Sequence, residues 1–264
     1  MSASAIVFVQ ARMESKRLPN KMLLPILGQP MICHLLDRLN SCQLTNPPIV
    51  LTANTPENKQ LMDVVARHGW MSFAPDCDPN DVLSRFWEAH LAFNQSNLPI
   101  VRITGDCPLI DNYIVDAVIA GFIALGNLDY ASLNNDFPDG LDIEIFKPGA
   151  LFEAYTKTVG HDREHVTPFI YKNPSLFKQY AFPCSFDLSE EKWSVDTEED
   201  YEFVKNIYEN LYPKNFRFSF REIYGYVQSS GLNIAFMNRE KRNQGYLDQA
   251  GIKKSWGEFR FGSQ

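Results

Sequence analysis

The sequence lacks the features of a disulfide-stapled, zinc-bound or membrane-spanning protein. It has only five cysteines, spread from Cys33 to Cys184 with no CxxC pair, which favours free thiols in a reducing compartment and argues against a zinc site. No apolar run reaches the length of a membrane span, and the start shows no signal-peptide pattern. We therefore expect a cytoplasmic protein whose 264 residues bury a sizeable core without disulfide bonds or a structural metal.

The chain also lacks an excess of basic residues. Its 25 Lys and Arg residues are outnumbered by 32 Asp and Glu residues, which gives a net charge of −7. This balance argues against non-specific binding to nucleic acid or to an anionic membrane, so neither is expected as a partner. It leaves room for a local cationic pocket.

Apolar runs and helical periodicities alternate along the first half of the chain. Strands are predicted at 5–9, 48–52, 70–74 and 99–104, each followed by a helical pattern. Four strand–helix units in succession predict an α/β fold, with a mainly parallel sheet and helices on both faces. Further strands are predicted at 129–133, 142–146, 193–196 and 216–220, and helices after Pro148, at 161–171, after Thr197 and at 219–227.

The domain prediction is one domain over 1–264 that contains an insertion at about 134–190. The insertion is rich in aromatic residues, which suits a dimer contact or a lid over a substrate. An ordinary α+β subdomain core accounts for the same composition equally well.

A cationic loop follows the first predicted strand. Arg12, Ser15, Lys16, Arg17 and Lys21 crowd this loop. Open α/β sheets bind ligands beyond the carboxyl ends of their strands, and guanidinium and ammonium groups match phosphate oxygens. The loop therefore predicts a polyphosphate site, although a solvated basic loop has the same composition.

Asp106 follows the predicted strand at 99–104 by two residues, and Asp196 ends the predicted strand at 193–196, both at the same edge as the cationic loop. Asn54 follows the second strand at that edge and is counted among the nucleotide-binding candidates. A pair of carboxylates facing a triphosphate is a Mg²⁺ site of the kind used in nucleotidyl transfer. The alternative is that each aspartate caps a helix, for which Asp196 before Thr197 is well placed.

Two further polar groups lie in the predicted insertion. If 142–146 is a strand, Asp142 and Glu144 project from one face, as sugar contacts or as a solvated edge. His161 and His165 are spaced to share one helix face, where substrate contact or a structural role is preferred to zinc. Arg163 between them is a candidate cation for a sugar carboxylate, as is Arg102.

Four motifs together resemble the bacterial sugar cytidylyltransferases, namely the acylneuraminate and Kdo enzymes and, most closely, the spore-coat-polysaccharide branch. The similarity extends over about residues 5 to 210, with the motifs in the expected order. The motifs are QAR…S…RLP…K at 10–21, TGDCPLI at 104–110, FPDGLDIE at 137–144 and SVDTEED at 194–200.

The resemblance implies a Rossmann-like, GT-A-type nucleotidyltransferase sheet, CTP as the donor, Mg²⁺ as the cofactor and a homodimer. It implies that Arg12, Ser15 and Lys21 bind the triphosphate, with Arg17 beside them, and that Asp106 and Asp196 bind the metal. Arg12, Lys21 and Asp106 are then the catalytic candidates, and the product is a CMP-sugar, of a nonulosonic acid or a related sugar, for surface polysaccharide.

Two residues depart from the family pattern, which commonly has glycine where this chain has Glu14 and Asn20. Glu14 adds negative charge beside the expected phosphates, whereas Asn20 is milder because asparagine tolerates left-handed backbone. Two rival functions remain open. One is a GT-A-type glycosyltransferase that uses a nucleotide-sugar, and the other is a nucleotide-binding module with a decayed site.

Overall fold

A seven-stranded, mostly parallel sheet runs through the molecule with helices packed on both faces. A computed structural model of the chain describes residues 3–232. The strands in the main sheet are β1 (Ile6–Gln10), β4 (Ile49–Leu51), β5 (Met71–Phe73), β6 (Ile100–Thr104), β7 (Tyr130–Leu133), β8 (Glu144–Phe146) and β9 (Gln179–Phe182). Their spatial order is β5-β4-β1-β6-β8-β7-β9, and only β8 is antiparallel to its neighbours.

Nine α-helices and one 3-10 helix accompany the sheet within residues 3–232. The 3-10 helix is Lys21–Leu23, and a hairpin of β2 (Pro25–Ile26) and β3 (Gln29–Pro30) follows it. The α-helices are α1 (Met31–Leu39), α2 (Pro56–Arg67), α3 (Val82–Phe93), α4 (Asn112–Leu125), α5 (Pro148–Lys157), α6 (Asp162–His165), α7 (Pro168–Tyr171), α8 (Glu198–Leu211) and α9 (Phe220–Ser230). None of these helices has both the length and the apolar composition needed to span a bilayer.

Strand β1 contributes to a core on each side of the sheet because its side chains alternate. Val7 and Val9 pack with buried residues of α1, α2, α4, α8 and α9, while Ile6 and Phe8 pack with those of α3, α5 and α7. This fully apolar central strand confirms the predicted parallel sheet with helices on both faces.

The parallel strands bring their carboxyl ends to one edge. Gln10, the last residue of β1, pairs in register with Leu51 of β4 and with Thr104 of β6. The loops that carry the cations after β1 and Asp106 after β6 therefore leave the sheet side by side, as the sequence predicts.

Two predicted strands are absent from the described residues. The segment 193–196 makes single contacts instead of a ladder: Trp193 donates its N–H to Asp139 O and Val195 to Asp106 O. The strand prediction at 216–220 is also wrong, because Phe218 closes a turn onto Asn215 O and Ser219 caps α9. Trp193, Val195 and Phe218 are buried in the core, although the segments that carry them form no strand.

The segment 134–190 adds two strands to the main sheet. Strand β8 lies between β6 and β7, and β9 pairs with β7 at one end of the sheet. The predicted strand at 142–146 is shorter than expected and begins at Glu144, so Asp142 precedes it. Because β8 has a partner on each side, the edge position considered for Glu144 is wrong, and its side chain is buried.

Candidate active site

A cleft of about 760 Å³ opens at the carboxyl edge of β1 and β6, a size suited to a nucleotide. It gathers most of the predicted site residues, although they come from four separate parts of the chain. Those that line it are Arg12, Ser15, Arg17, Lys21, Asp106, Asp142, Glu144 and Asp196.

Two predicted site residues lie elsewhere. Asn54 is exposed and does not line the cleft. Arg163 donates to Asp81 Oδ2 at 2.8 Å, to Ser84 Oγ and to the carbonyl oxygens of Tyr155 and Thr158. These bonds tie α6 to the start of α3, so the guanidinium holds structure together at this point.

Helix α2 holds the cationic loop in place through a hydrogen bond. The buried Asn58 side chain accepts the Met13 N–H at 2.8 Å, and Met13 itself is buried. Further along, Ser15 Oγ accepts the Leu18 N–H, and Asn20 has a φ of 58° in the left-handed region. The expectation that asparagine tolerates this backbone is confirmed, and the loop keeps a defined path without the glycine.

Lys21 lies at the centre of the site. Its ammonium donates to Asp106 Oδ2 at 2.9 Å, to Asp196 Oδ1 at 3.0 Å and to the Val195 carbonyl oxygen at 2.7 Å. Burial alone would lower the pKa of Lys21, but the two carboxylates outweigh it and raise the pKa. The residue is therefore a permanent cation held between two acids.

Asp196 is surrounded by cations. Burial would raise its pKa, but Lys21, Lys192 and Arg17 lower the pKa to about 2. Lys192 is itself buried and also contacts Asp200 Oδ2 at 2.7 Å. The sequence analysis did not identify Lys192, because nothing in its spacing separates it from a surface lysine.

The backbone near Asp196 is pressed against Gly140. Gly140 has a φ of +104°, and a Cβ at this position would lie 2.4 Å from Ser194 N and 2.5 Å from Trp193 C. Only glycine permits this approach. The motif around Gly140 therefore positions the segment 193–196, which forms no strand and carries Asp196.

The outer cations of the loop form exposed ion pairs. Arg12 Nη2 lies 2.8 Å from Glu164 Oε1, and Arg17 Nη2 lies 3.0 Å from Asp196 Oδ1. Both arginine side chains are more than two-fifths exposed. Pairs of this kind contribute little free energy, so both guanidinium groups are easily transferred to an incoming phosphate.

Glu14 lines the cleft but is bound towards α2. Its carboxylate accepts from Thr55 Oγ1 at 3.4 Å and from Asn58 Nδ2 at 3.3 Å. These contacts hold the Glu14 carboxylate towards α2, which reduces the expected repulsion between this carboxylate and a bound phosphate.

Glu144 and Arg102 form a buried pair on the floor of the cleft. Arg102 Nη1 donates to Glu144 Oε2 at 2.5 Å and Nη2 donates to Gln10 Oε1 at 3.0 Å. Glu144 Oε1 also accepts from the hydroxyls of Tyr130 and Thr167. A buried carboxylate with this many donors is locked in place, so the pair presents a rigid polar surface.

Arg85 is a second buried cation that the sequence analysis did not identify as a site residue. It lies on α3, is 1% exposed, and donates Nη2 to the Pro79 carbonyl oxygen at 2.5 Å. Its Nε has no hydrogen-bond partner among residues 3–232. Arg85 lines the cleft, a position that its place in an amphipathic helix pattern did not indicate.

The two aspartates suit a hard divalent cation. Asp106 and Asp196 direct carboxylate oxygens at one ammonium, so a positive charge is already stabilised between them. Carboxylate oxygens and water are the ligands that Mg²⁺ prefers. The donor set therefore fits Mg²⁺.

Comparison with known proteins gives consistent matches. A family model described as "Cytidylyltransferase" matches residues 6–236. An uncharacterized protein of Methanocaldococcus jannaschii is 35% identical, with 74% of this chain and 79% of that protein aligned. The spore coat polysaccharide biosynthesis protein SpsF of Bacillus subtilis is 28% identical, with 77% and 86% aligned.

A solved structure agrees with the sequence matches. The cytidylyltransferase of Leptospira borgpetersenii superimposes with a TM-score of 0.82 at 27% identity, covering 90% of this chain and 99% of that one. The similarity therefore extends over nine-tenths of this chain.

Proposed function

The chain belongs to the cytidylyltransferase family, and from its cleft we propose that it joins the CMP moiety of CTP to a sugar, releasing pyrophosphate. The observation that carries the proposal is the Lys21 ammonium held between Asp106 and Asp196 beside a cationic loop. A triphosphate and its cation need this combination of charges in one place.

In the proposed reaction, a sugar hydroxyl oxygen attacks the α-phosphorus of CTP. A new oxygen–phosphorus bond forms, the bond to the oxygen that bridges the α- and β-phosphates breaks, and pyrophosphate leaves with that oxygen. The hydroxyl proton is lost to water in the cleft. Arg12 and Arg17 leave their exposed ion pairs to bind phosphate oxygens, and Lys21 stabilises the charge that develops.

Asp106 and Asp196 are the residues that would hold Mg²⁺. When bound, Mg²⁺ supplies charge neutralisation for the phosphate oxygens. Lys21 orients both carboxylates towards one point, at which a positive charge is already stabilised, and it helps to lower the pKa of Asp196.

The sugar-binding side of the cleft is assigned to Asp142, Glu144 and Arg102. The Glu144–Arg102 pair offers a fixed polar floor, and Asp142 lines the same cleft. The SpsF relative supports a product destined for surface polysaccharide. The identity of the sugar follows from the screen described below.

A homodimer remains a prediction. Large apolar side chains on the 134–190 segment are exposed, including Phe152, Val159 and Leu176. An exposed apolar surface of this kind suits a partner. Light scattering after size-exclusion chromatography tests it: a mass near twice 30.2 kDa supports the dimer, and the monomer mass contradicts it.

The experiment for the proposed activity is a screen of nucleoside triphosphates against sugars with pyrophosphate detection. CTP with one sugar, in the presence of Mg²⁺, is expected to release pyrophosphate. Asp106→Asn should lower the rate of pyrophosphate release at least about a hundredfold. Glu202→Gln is the matched control, because Glu202 lies on α8 in an exposed pair with Lys205 and outside the cleft.

The same screen separates the rival functions. A glycosyltransferase releases a nucleoside mono- or diphosphate from a nucleotide-sugar and no pyrophosphate from CTP. A nucleotide-binding module binds CTP in calorimetry without turnover of any sugar. Either result would overturn the proposal.

A further inference from the structure

We propose that His161, Glu164 and His165 form a transition-metal site of the zinc class at the rim of the cleft. One ligand atom from each residue lies within 4.8 Å of the other two. We call these three residues the rim triad. They lie on the 134–190 segment, apart from Asp106 and Asp196, and constitute a second metal site with different ligand chemistry.

The spacing of the rim triad is already that of a metal site. His161 caps α6, and Glu164 and His165 follow three and four positions later, which places all three on one helix face. The Nε2 atoms of His161 and His165 are 3.2 Å apart. Two nitrogens bound tetrahedrally to one Zn²⁺, each at about 2.0–2.1 Å, are separated by about 3.3 Å.

The scaffold that carries the triad is anchored. Arg163, in the middle of α6, donates to Asp81 and Ser84 of the α3 start and to two carbonyl oxygens at the end of α5. These bonds hold the single helical turn against two longer helices. A short helix alone would give mobile ligands, but this one is fixed from its opposite face.

The donor set selects the metal. Two imidazoles and one carboxylate suit Zn²⁺ and similar borderline ions, whereas Mg²⁺ prefers oxygen ligands alone. Three protein ligands leave a position for water or a substrate oxygen.

The triad adjoins the nucleotide site. Glu164 and His165 both line the cleft, and Arg12 Nη2 lies 2.8 Å from Glu164 Oε1. The Arg12 charge competes with a metal ion for this carboxylate. Removing that charge is therefore expected to strengthen metal binding, whereas removing a ligand of the triad is expected to weaken it.

The test is calorimetric titration of the full-length protein with Zn²⁺ alone, without nucleotide. Wild type is expected to bind one Zn²⁺, and His161→Ala should weaken this binding by at least about tenfold. His161 is exposed, so its replacement leaves the fold intact. Arg12→Gln should tighten binding severalfold. His68→Ala, which removes an exposed histidine on another helix end, is the matched control and should behave as wild type.

The design isolates the triad from other ligands and from the proposed reaction. The half-buried thiols of Cys77 and Cys184 and the Asp106–Asp196 pair are present in every variant, so any zinc they bind is common to all titrations. Equal Zn²⁺ affinity in wild type and His161→Ala would overturn the proposal, as would loss of binding in His68→Ala alone. Because no CTP is present, either result leaves the proposed cytidylyl transfer to be judged by its own assay.

Discussion

Lys21 and Asp196 are 175 residues apart in the chain, yet Lys21 Nζ lies 3.0 Å from Asp196 Oδ1. The contact joins the loop after the first strand to the segment before α8. A third charge, that of Asp106 at 2.9 Å from the same ammonium, makes this the electrostatic centre of the cleft. Both the stability of the cleft and its proposed chemistry depend on it.

Replacing Lys21 by Met should destabilise the protein and increase its response to Mg²⁺. The variant leaves two carboxylates without their shared, buried ammonium, at a cost of about 3 kcal/mol in the free energy of unfolding. A divalent cation between the same carboxylates would then recover part of this loss. Thermal unfolding with MgCl₂, against KCl of equal ionic strength, measures it. An equal Mg²⁺ response in wild type and Lys21→Met would contradict the assignment of the two aspartates.

Replacing Gly140 by Ala should cost about 1–3 kcal/mol and lower the activity. The new Cβ would lie 2.4 Å from Ser194 N, and φ is +104°, so the segment that carries Asp196 must shift. Gly225→Ala is the control, since Gly225 lies inside α9 with no atom within 4 Å of a new Cβ. There we expect a stabilisation of about 0.5–1 kcal/mol. Urea unfolding compares them, and similar effects at both sites would refute the packing argument.

Replacing Glu14 by Gln should tighten CTP binding about two- to fivefold. The substitution removes one negative charge from the lining of the cleft and keeps one side-chain oxygen, which accepts from Thr55 or from Asn58. The effect is small because Glu14 is exposed and therefore screened, and it should shrink as salt is raised. Calorimetry at two salt concentrations measures both. Weaker binding in the variant would mean that Glu14 takes part in nucleotide binding.

Replacing Asp81 by Asn should destabilise the protein at neutral pH and not in acid. Burial would raise the pKa of Asp81, but Arg163 and the Ser84 N–H and hydroxyl lower it below its ordinary value. A carboxylate with a depressed folded-state pKa contributes stability above its unfolded pKa of about 3.9, and loses it as the pH falls through the folded value.

The expected difference for Asp81→Asn is about 1 kcal/mol at pH 7, falling towards zero well below pH 4. Asparagine keeps the helix-capping oxygen and loses the oxygen that accepts from Arg163, so the comparison measures the ion pair and leaves the cap in place. Denaturant unfolding at pH 7 and pH 3 measures the difference. A difference that persists unchanged in acid would show that the ion pair with Arg163 is not its source.

Most of the architecture could be predicted from short-range patterns in the sequence. The apolar run that became β1 indicated a buried strand, and Thr197 marked a helix start at which its side chain makes the expected capping bond. These features depend on neighbouring residues and on burial, so they can be predicted without a partner. The order of the motifs was likewise sufficient to indicate the family.

Features that depend on distant partners could not be predicted in this way. The segment 193–196 has the composition of a strand but contacts only Asp139 and Asp106 through its backbone. Glu144 was considered for a sheet edge, but β8 has a strand on each side. Arg163 was a candidate contact for a sugar carboxylate, and in the structure its guanidinium binds Asp81. In each case the deciding contact joins residues that no local pattern connects.

Composition and short-range pattern thus define the strands, the helix starts and the kinds of charge available, because these follow from each residue and its near neighbours. Only the tertiary structure places Lys21 between two acids and brings Arg163 to Asp81. The free energy of a buried charge depends on the groups that surround it in space, and the order of residues along the chain does not specify which groups these are.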